Sequence, residues 1–315
     1  MASVGPMSED AEQSAEAAPA PEGRRRHLAL SASRASDYKA CPLLYRFRAV
    51  DKLPEPPSVE AARGTLVHVV LEELFGLPAA ERTESVAVEM VRPTWEQLSG
   101  EIPEWQTMLE PDQVDTWLES ARDRVRTYFD LEDPTRFSAE SRELLLEVEV
   151  GDGVPLRGYL DRVDVAPNGA LRIVDYKTGR APGELFEQSA LFQMKFYALL
   201  MLRTRGVVPQ QLKLLYLGDS RWLTYVPTEE ELVRFERTLT PLWSAILLAR
   251  RTGDFRPRPG KMCGWCAHHA LCPEFGGTPP PYPFPDAPGA DPEPTAASEP
   301  GVDSPVPPEQ LAGVR

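Results

Sequence analysis

The chain has 315 residues, 42% of them hydrophobic, and a formal net charge of −14, and its hydrophobic content is ordinary for a globular protein. No apolar run approaches the roughly 20 residues that a membrane span requires, and the N-terminus lacks the basic start and apolar core of a signal peptide, so we expect a soluble cytoplasmic protein. The acidic balance argues against tight, sequence-independent coating of duplex DNA, because proteins that do this are basic.

The two ends of the chain differ in composition from the rest. Residues 1–26 are rich in Ala, Glu, Pro and Ser, and residues 277–315 are dominated by Pro with Gly, Asp and Glu. Neither segment has enough large apolar residues to offset the loss of chain entropy on folding. We therefore expect two disordered tails, 1–26 and 277–315, around one folded domain of residues 27–276.

Within that domain the hydrophobic spacing predicts helices and strands in a mixed order. Helices are predicted over residues 61–75, 112–128, 184–203 and 228–250, after a short helix that leads to Cys41, and strands over 142–150, 156–165, 170–177 and 211–217. Residues 78–110 show no clear period. Strands that alternate with helices in this way predict an α/β fold with a mixed central sheet flanked by helices.

Three charged residues on neighbouring strands form the first candidate site. A turn at Asn168-Gly169 separates Asp161 from Asp175 and Lys177. Residues two apart in a strand share a face, so Asp175 and Lys177 project together, and antiparallel pairing through the turn brings Asp161 near Asp175. Two carboxylates this close repel each other unless a cation intervenes, and Mg²⁺ prefers such oxygen ligands. Charged residues on exposed strand faces are the plainer interpretation.

Two helices carry further polar candidates. His68, on the 61–75 helix, is either a metal ligand or a packing or capping histidine. Gln193 and Tyr197 lie four residues apart, so they share a helix face and offer an amide and a phenol to a phosphate or a base edge. Ordinary amphipathic packing is the favoured interpretation of this second pair when the helix is considered alone.

The cysteines form the second strong pattern. Cys263, Cys266 and Cys272 have the spacing Cys-x-x-Cys-x5-Cys, and Cys41 lies more than two hundred residues earlier, followed by proline. Four thiols fit a zinc site or an iron–sulfur cluster, and the division into one and three favours [4Fe–4S], because tetrathiolate zinc sites usually consist of two Cys-x-x-Cys pairs. Four unrelated buried cysteines are the alternative.

The motifs in this order resemble a known family. They are Cys41, Gly64-x3-His68, Gly158-x2-Asp161-Arg162-Val163-Asp164, Asp175-Tyr176-Lys177-Thr178-Gly179, Gln193-x3-Tyr197 and the three-cysteine cluster. The set resembles the RecB-type exonuclease family of the PD-(D/E)xK nuclease superfamily. More narrowly, it resembles the branch with a four-cysteine iron–sulfur clasp, which includes the nucleases of CRISPR adaptation and the nuclease domain of AddB. The resemblance covers nearly all of residues 28–276.

The resemblance implies a role for each matching residue. His68, Asp161 and Asp175 would bind catalytic Mg²⁺ or Mn²⁺ together with the backbone carbonyl of Tyr176, and Lys177 would be the catalytic lysine. Gln193 and Tyr197 would position the DNA backbone. Cys41, Cys263, Cys266 and Cys272 would hold a structural [4Fe–4S] cluster. Glu147 and Glu149, on the strand that resembles the family's leading strand, are further candidates for the site.

The expected function is that of a metal-dependent DNA exonuclease which hydrolyses phosphodiester bonds at single-stranded or frayed ends in DNA repair. The sequence has no Gly-x4-Gly-Lys-[Ser/Thr] phosphate loop, so a helicase or repair protein that works with it would be a separate chain. Two alternatives stay open at this point. One is a catalytically silent DNA-binding or scaffolding subunit with the same fold, and the other is a zinc-clasped enzyme of unrelated chemistry.

Overall fold

The computed structural model describes residues 28–56, 58–183 and 187–284, so the predicted tail 1–26 and most of the predicted tail 277–315 lie outside the described residues. The helices are α1 (Ala32–Ala40), α2 (Pro42–Tyr45), α3 (Val59–Leu74), α4 (Glu84–Glu101), α5 (Pro103–Gln106), α6 (Val114–Leu131), α7 (Glu187–Arg205) and α8 (Glu229–Thr252). The strands are β1 (Ala139–Val150), β2 (Val154–Val165), β3 (Leu171–Lys177), β4 (Gln211–Tyr216) and β5 (Arg221–Tyr225). No described helix is both long enough and apolar enough to cross a membrane.

The five strands form one mixed sheet in the order β1-β2-β3-β4-β5. The first three strands are antiparallel neighbours, β3 and β4 are parallel, and β5 returns antiparallel to β4. The predicted turn joins β2 to β3, and Gly169 adopts a φ of +80° there, which glycine tolerates at no steric cost. Parallel pairing needs a crossover connection, and α7 supplies it between β3 and β4.

Helices cover the sheet on both faces, which confirms the predicted α/β class. One core lies between the sheet and α1, α7 and α8, and it includes Ile173, Leu212 and Leu214 from the strands and Phe196, Leu199 and Ile246 from the helices. A second core lies between the sheet and α3, α4 and α6, and it includes Val174, Tyr176 and Leu215 from the strands and Leu66, Val91 and Val125 from the helices.

Strand β2 passes from one-sided to two-sided burial. From Val154 to Leu160 every second residue is buried, and from Leu160 to Asp164 every residue is buried. This run contains Asp161, Arg162 and Asp164. Charged groups remain in such a place only when they are paired or bind a cation, so the fold itself marks this part of the hairpin as a candidate site.

Two parts of the chain differ from the sequence expectation. Residues 78–110 contain a regular helix, α4, that begins at its N-cap Thr83, and its Trp95 packs against Trp105 and Trp117 with ring centroids 5.6 and 4.7 Å apart. At the other end, the packed chain continues past residue 276. Tyr282 donates its hydroxyl hydrogen to the carbonyl of Arg250 and lies against the first core.

Candidate active site

The β2–β3 hairpin brings the two predicted aspartates to adjacent strands. Arg162 pairs with Val174 in an antiparallel register, so Asp161 and Asp175, the next residues along the two strands, lie opposite each other. The backbone N–H of Tyr176 donates to Oδ2 of Asp161 over 2.7 Å. This bond fixes one oxygen of Asp161 against β3, beside the backbone that carries Asp175.

Helix α3 places His68 over the same point. Its Nε2 lies 3.0 Å from the carbonyl oxygen of Tyr176, and because a carbonyl only accepts, Nε2 carries the hydrogen. Its Nδ1 then faces Oδ2 of Asp161 at 3.5 Å. Burial lowers the pKa of His68, but the negative charges of Asp161 and Asp175 outweigh it, and the net direction is upward.

Glu143 is the residue of this site that sequence reasoning missed. It lies on β1 between the pairs Arg142–Arg162 and Leu144–Leu160, across from Asp161, and its φ of +45° is rare for a residue with a side chain. Glu143, His68 and Asp161 each offer one ligand atom, and these atoms lie within 4.8 Å of one another. Burial and the charge of Asp161 raise the pKa of Glu143 to about 7.

The predicted candidates Glu147 and Glu149 lie elsewhere on β1. Glu147 pairs with Arg157 across the sheet, with Oε1 3.4 Å from Nε, and both glutamates are exposed. Glu147 is four residues beyond Glu143, which is roughly 13 Å along a strand. Neither glutamate joins the cluster around Asp161.

Asp175 and Lys177 form a close pair beside this cluster. Oδ2 of Asp175 and Nζ of Lys177 form a buried ion pair at 2.6 Å, and neither atom has a further hydrogen-bond partner among the described residues. Burial raises the pKa of Asp175 to about 6, and the charge of Asp161 adds to this while Lys177 opposes it. Crowded acids with raised pKa values next to a buried lysine are a common signature of an active site.

Helix α7 contributes the predicted amide and phenol. The Nε2 amide of Gln193 donates to Oδ1 of Asp175 over 3.2 Å and to the hydroxyl oxygen of Tyr197 over 3.0 Å. Burial and the charge of Asp175 raise the pKa of Tyr197, so its hydroxyl keeps a hydrogen to donate. Gly158 on β2 permits this close approach, because a Cβ there would lie 2.7 Å from Leu200 Cδ1 and 3.2 Å from the Tyr197 ring.

A buried charge network supports β3 from the other side. Arg162 donates to Glu132 over 2.6 Å, to Asp164 over 2.8 Å and to the hydroxyl of Tyr176 over 2.5 Å. Arg172 contacts the same two acids. Side chains alternate across a strand, so the network holds Tyr176 on the face opposite Asp175 and Lys177.

The cysteines lie apart from this site, where the two ends of the described chain meet. Sγ of Cys41 accepts a hydrogen bond from the backbone N–H of Arg258 over 3.4 Å, and Sγ of Cys263 accepts one from Gly260 over 3.3 Å. Burial raises the pKa of the Cys266 thiol, and the charges of Cys41 and Cys263 add to this. All four thiols are free, and no three of them, all within the described residues, lie within 4.8 Å of one another.

The fold and the acid–lysine hairpin together define a nuclease of the PD-(D/E)XK type. Residues 29–273 match the PD-(D/E)XK nuclease superfamily over more than half of the chain, and the protein belongs to this superfamily.

The chain is also similar to two phage proteins in sequence and to a crystal structure in fold. The chain is 29% identical to the Gene 69 protein of Mycobacterium phage D29 over 276 residues and 26% identical to the Gene 69 protein of Mycobacterium phage L5 over 286 residues; each match covers 78% of this chain and 96% of the phage protein. The crystal structure of a "Putative exonuclease" from Eubacterium rectale aligns with a TM-score of 0.52 at 12% identity, over 76% of this chain and 87% of that one. At this level of identity the alignment supports the fold.

Proposed function

We propose that this protein is a Mg²⁺- or Mn²⁺-dependent deoxyribonuclease of the RecB type, an exonuclease that acts on single-stranded or frayed DNA ends in repair in the cytoplasm. The observation that carries the proposal is the convergence of His68, Glu143 and Asp161 within 4.8 Å of one another, beside the Asp175–Lys177 pair. Membership of the nuclease superfamily supports the reaction class. The nuclease domain is residues 27–276, and the packed segment up to Phe284 extends it.

The donor set fits a hard divalent cation. Carboxylate oxygens and one imidazole nitrogen lie within 4.8 Å of one another, and burial together with the charge of Asp161 raises the pKa values of Glu143 and Asp175. We assign His68, Asp161, Asp175 and Glu143 as its ligands. A divalent ion bound there supplies Lewis-acid activation of the scissile phosphate and of a water molecule.

The other polar groups have distinct roles in this proposal. Lys177 is the catalytic lysine: its Nζ, which Asp175 holds in place, donates to the attacking water and stabilises the charge that develops on the phosphate. Gln193 holds Asp175 in place. Tyr197 keeps its hydroxyl hydrogen for a phosphate oxygen of the DNA backbone.

The test is digestion of end-labelled single- and double-stranded DNA with Mg²⁺ or Mn²⁺, with anaerobically purified protein. We expect Lys177→Ala to cleave at least about 100-fold more slowly, the loss typical when a donor to developing negative charge is removed, while Lys213→Ala retains cleavage. Lys213 is a matched control, because its side chain is similarly enclosed, 14% exposed against 11% for Lys177, and it is paired with an acid, Glu132, at 3.1 Å. Equal rates for Lys177→Ala and the parent protein would refute the mechanism. A parent protein that binds DNA but cuts neither substrate would be a silent subunit instead.

We also propose that Cys41, Cys263, Cys266 and Cys272 hold a [4Fe–4S] cluster that joins the two ends of the domain. The backbone N–H groups of Arg258 and Gly260, which donate to the sulfurs of Cys41 and Cys263, stabilise these sulfurs as thiolates. The division into one remote and three clustered cysteines favours this cluster over zinc, because tetrathiolate zinc sites usually consist of two Cys-x-x-Cys pairs.

The bound metal can be identified directly. We expect anaerobically purified protein to absorb near ~400 nm with about four irons per chain, and Cys41→Ser to lose both signals. Colourless parent protein with stoichiometric zinc would overturn the cluster assignment.

A further inference from the structure

The cysteine-containing segment exposes large side chains that the proposed active site does not use. We call this the aromatic–basic surface, and it consists of Arg256, Arg258, Lys261, Met262, Trp265, His269 and Phe275. Its last five residues lie on three short 3₁₀ turns, Lys261–Trp265, His269–Leu271 and Pro273–Phe275, and its two arginines precede these turns.

Two aromatic residues of this surface face solvent, as does Trp222 on strand β5. Trp265 is 61% exposed and Phe275 is 47% exposed, whereas Trp95, Trp105, Trp117 and Trp243 are each only 7% exposed. The rings of His269 and Phe275 stack with centroids 3.9 Å apart. Large apolar groups that face solvent together indicate a contact surface.

The charge of this segment is opposite to that of the whole protein. Residues 250–277 contain five Lys or Arg and two Asp or Glu, in a chain whose net charge is −14. Arg258 and Lys261 are exposed, and Arg256 is exposed and pairs with Asp254 at 3.0 Å. A basic surface on an acidic protein favours a polyanionic partner, because the local field steers association more than the total charge does.

A line of contacts leads from this surface to the candidate active site. The Arg258 guanidinium donates to the backbone carbonyl of Lys39, and the Lys39 ammonium lies 4.2 Å from the ring centroid of Phe192. Phe192 precedes Gln193, which contacts Asp175. Arg258, at one end of the aromatic–basic surface, is therefore linked through Lys39 to the helix that carries the proposed DNA-positioning residues.

We propose that the aromatic–basic surface binds single-stranded DNA by stacking unpaired bases on Trp265 and Phe275 and by contacting phosphates with its arginines and lysine. This combination is the usual chemistry of single-strand binding, in which aromatic rings accept any base and cations follow the backbone. Duplex DNA keeps its base faces covered, so it offers nothing for these rings. The inference rests on the proposed function only in taking DNA as the substrate.

The test separates binding from cleavage. Fluorescence anisotropy with a labelled 20-residue oligodeoxythymidine, in Ca²⁺ without Mg²⁺ or Mn²⁺, measures affinity for the full-length parent and for Trp265→Ala, Lys261→Glu and Trp222→Ala. Trp222 is the matched control, since it is 54% exposed but lies on the edge strand β5. We expect Trp265→Ala to bind at least about fivefold more weakly, the lower end of the stacking range, and Trp222→Ala to bind like the parent.

Charge and specificity provide a second readout. We expect Lys261→Glu to make the negative slope of log affinity against log salt shallower by about 0.7 or more, the value for each single-strand phosphate contact. We expect the affinity of Trp265→Ala for duplex DNA to equal that of the parent. If Trp265→Ala and Trp222→Ala bind the oligonucleotide equally, the proposal is wrong, and a protein partner becomes the occupant to seek. That result would not affect the nuclease proposal if the parent protein cleaves DNA. Conversely, weaker binding by Trp265→Ala, together with no cleavage by the parent or any variant, would refute the nuclease proposal and leave the single-strand surface supported.

Discussion

At the scale of single residues, Glu143 is the most informative side chain of the candidate site. It shares a 4.8 Å cluster with His68 and Asp161. We expect Glu143→Gln to weaken Mn²⁺ binding by about tenfold or more, because even the loss of a group that only hydrogen-bonds to a metal ligand reduces metal affinity by that factor. Isothermal titration calorimetry measures this affinity, and Glu147→Gln is the matched control, since Glu147 lies on the same strand but outside the cluster.

The pH dependence of the same titration provides a second check. The pKa of Glu143 is raised to about 7, so below that pH the ion must displace a proton. We expect parent affinity for Mn²⁺ to fall by up to tenfold for each pH unit between 7 and 5 and to level off above 8, with a shallower fall in Glu143→Gln. Identical affinities and identical pH profiles for parent and Glu143→Gln would exclude Glu143 from the site.

Most of the site could be anticipated from the sequence, and Glu143 shows why the rest could not. Strand periodicity and the turn at Asn168-Gly169 are local, so they place Asp161, Asp175 and Lys177 near each other. The position of a residue along β1 depends on its register against β2 and on the irregular backbone at Glu143. Neither leaves a trace in the hydrophobic pattern, and the family resemblance of this strand indicated Glu147 and Glu149 instead.

At the scale of elements, the Arg162 network stabilises strand β3 from behind. Arg162 is 1% exposed and pairs with Glu132 and Asp164. We expect Arg162→Leu to lower the free energy of unfolding by about 3–5 kcal/mol, because it leaves two buried carboxylates without their main counter-charge. Urea unfolding followed by far-UV circular dichroism measures this loss.

The control for that prediction is on the same strand. Arg157 also pairs with a glutamate, Glu147, but the pair is partly exposed, so Arg157→Leu should cost about 1 kcal/mol or less. A loss in Arg162→Leu no larger than that in Arg157→Leu would show that the network does not stabilise β3.

Elements with a strong local pattern were predictable, and elements defined by tertiary contacts were not. Helix α8 begins after Thr228, whose hydroxyl accepts from the N–H of Glu231 over 3.2 Å, as the capping pattern predicts. Strand β5 is short and mostly exposed, so its sequence does not alternate between buried apolar and exposed polar residues. It is defined by its antiparallel hydrogen bonds to β4. Helix α4 contains Pro93, and its buried face is set by tryptophans from other helices.

At the scale of the whole molecule, contacts between distant parts of the chain close the domain. The Nε2 of His268 lies 3.0 Å from Oε1 of Glu55, and the ring of Phe47 lies 5.2 Å from that of His268. These contacts join segments more than two hundred residues apart. The proposed cluster would therefore reinforce a junction that side chains already make.

The segment after Gly276 makes the last of these contacts, and its contribution to stability can be measured. The Tyr282 ring lies 5.9 Å from that of Phe255 and 5.2 Å from the guanidinium of Arg46, which also donates to the carbonyl of Pro280. A chain that ends at Gly276 exposes Phe255 and leaves the buried Arg46 without that acceptor. We expect it to lose about 1–2 kcal/mol of stability, a fall in Tm of about 2–8 °C for a domain of this size.

A chain that ends at Phe284 is the matched comparison, because it keeps every contact of Pro280 and Tyr282 described above. Differential scanning calorimetry of the two truncations under the same reducing conditions isolates residues 277–284. Equal Tm values would mean that these residues lie on the core without stabilising it, and the domain would then end at residue 276, as its composition alone predicts. A lower Tm for the shorter chain would extend the cooperative unit to Phe284, because two aromatic rings and one buried cation outweigh the entropy cost of ordering eight residues rich in proline.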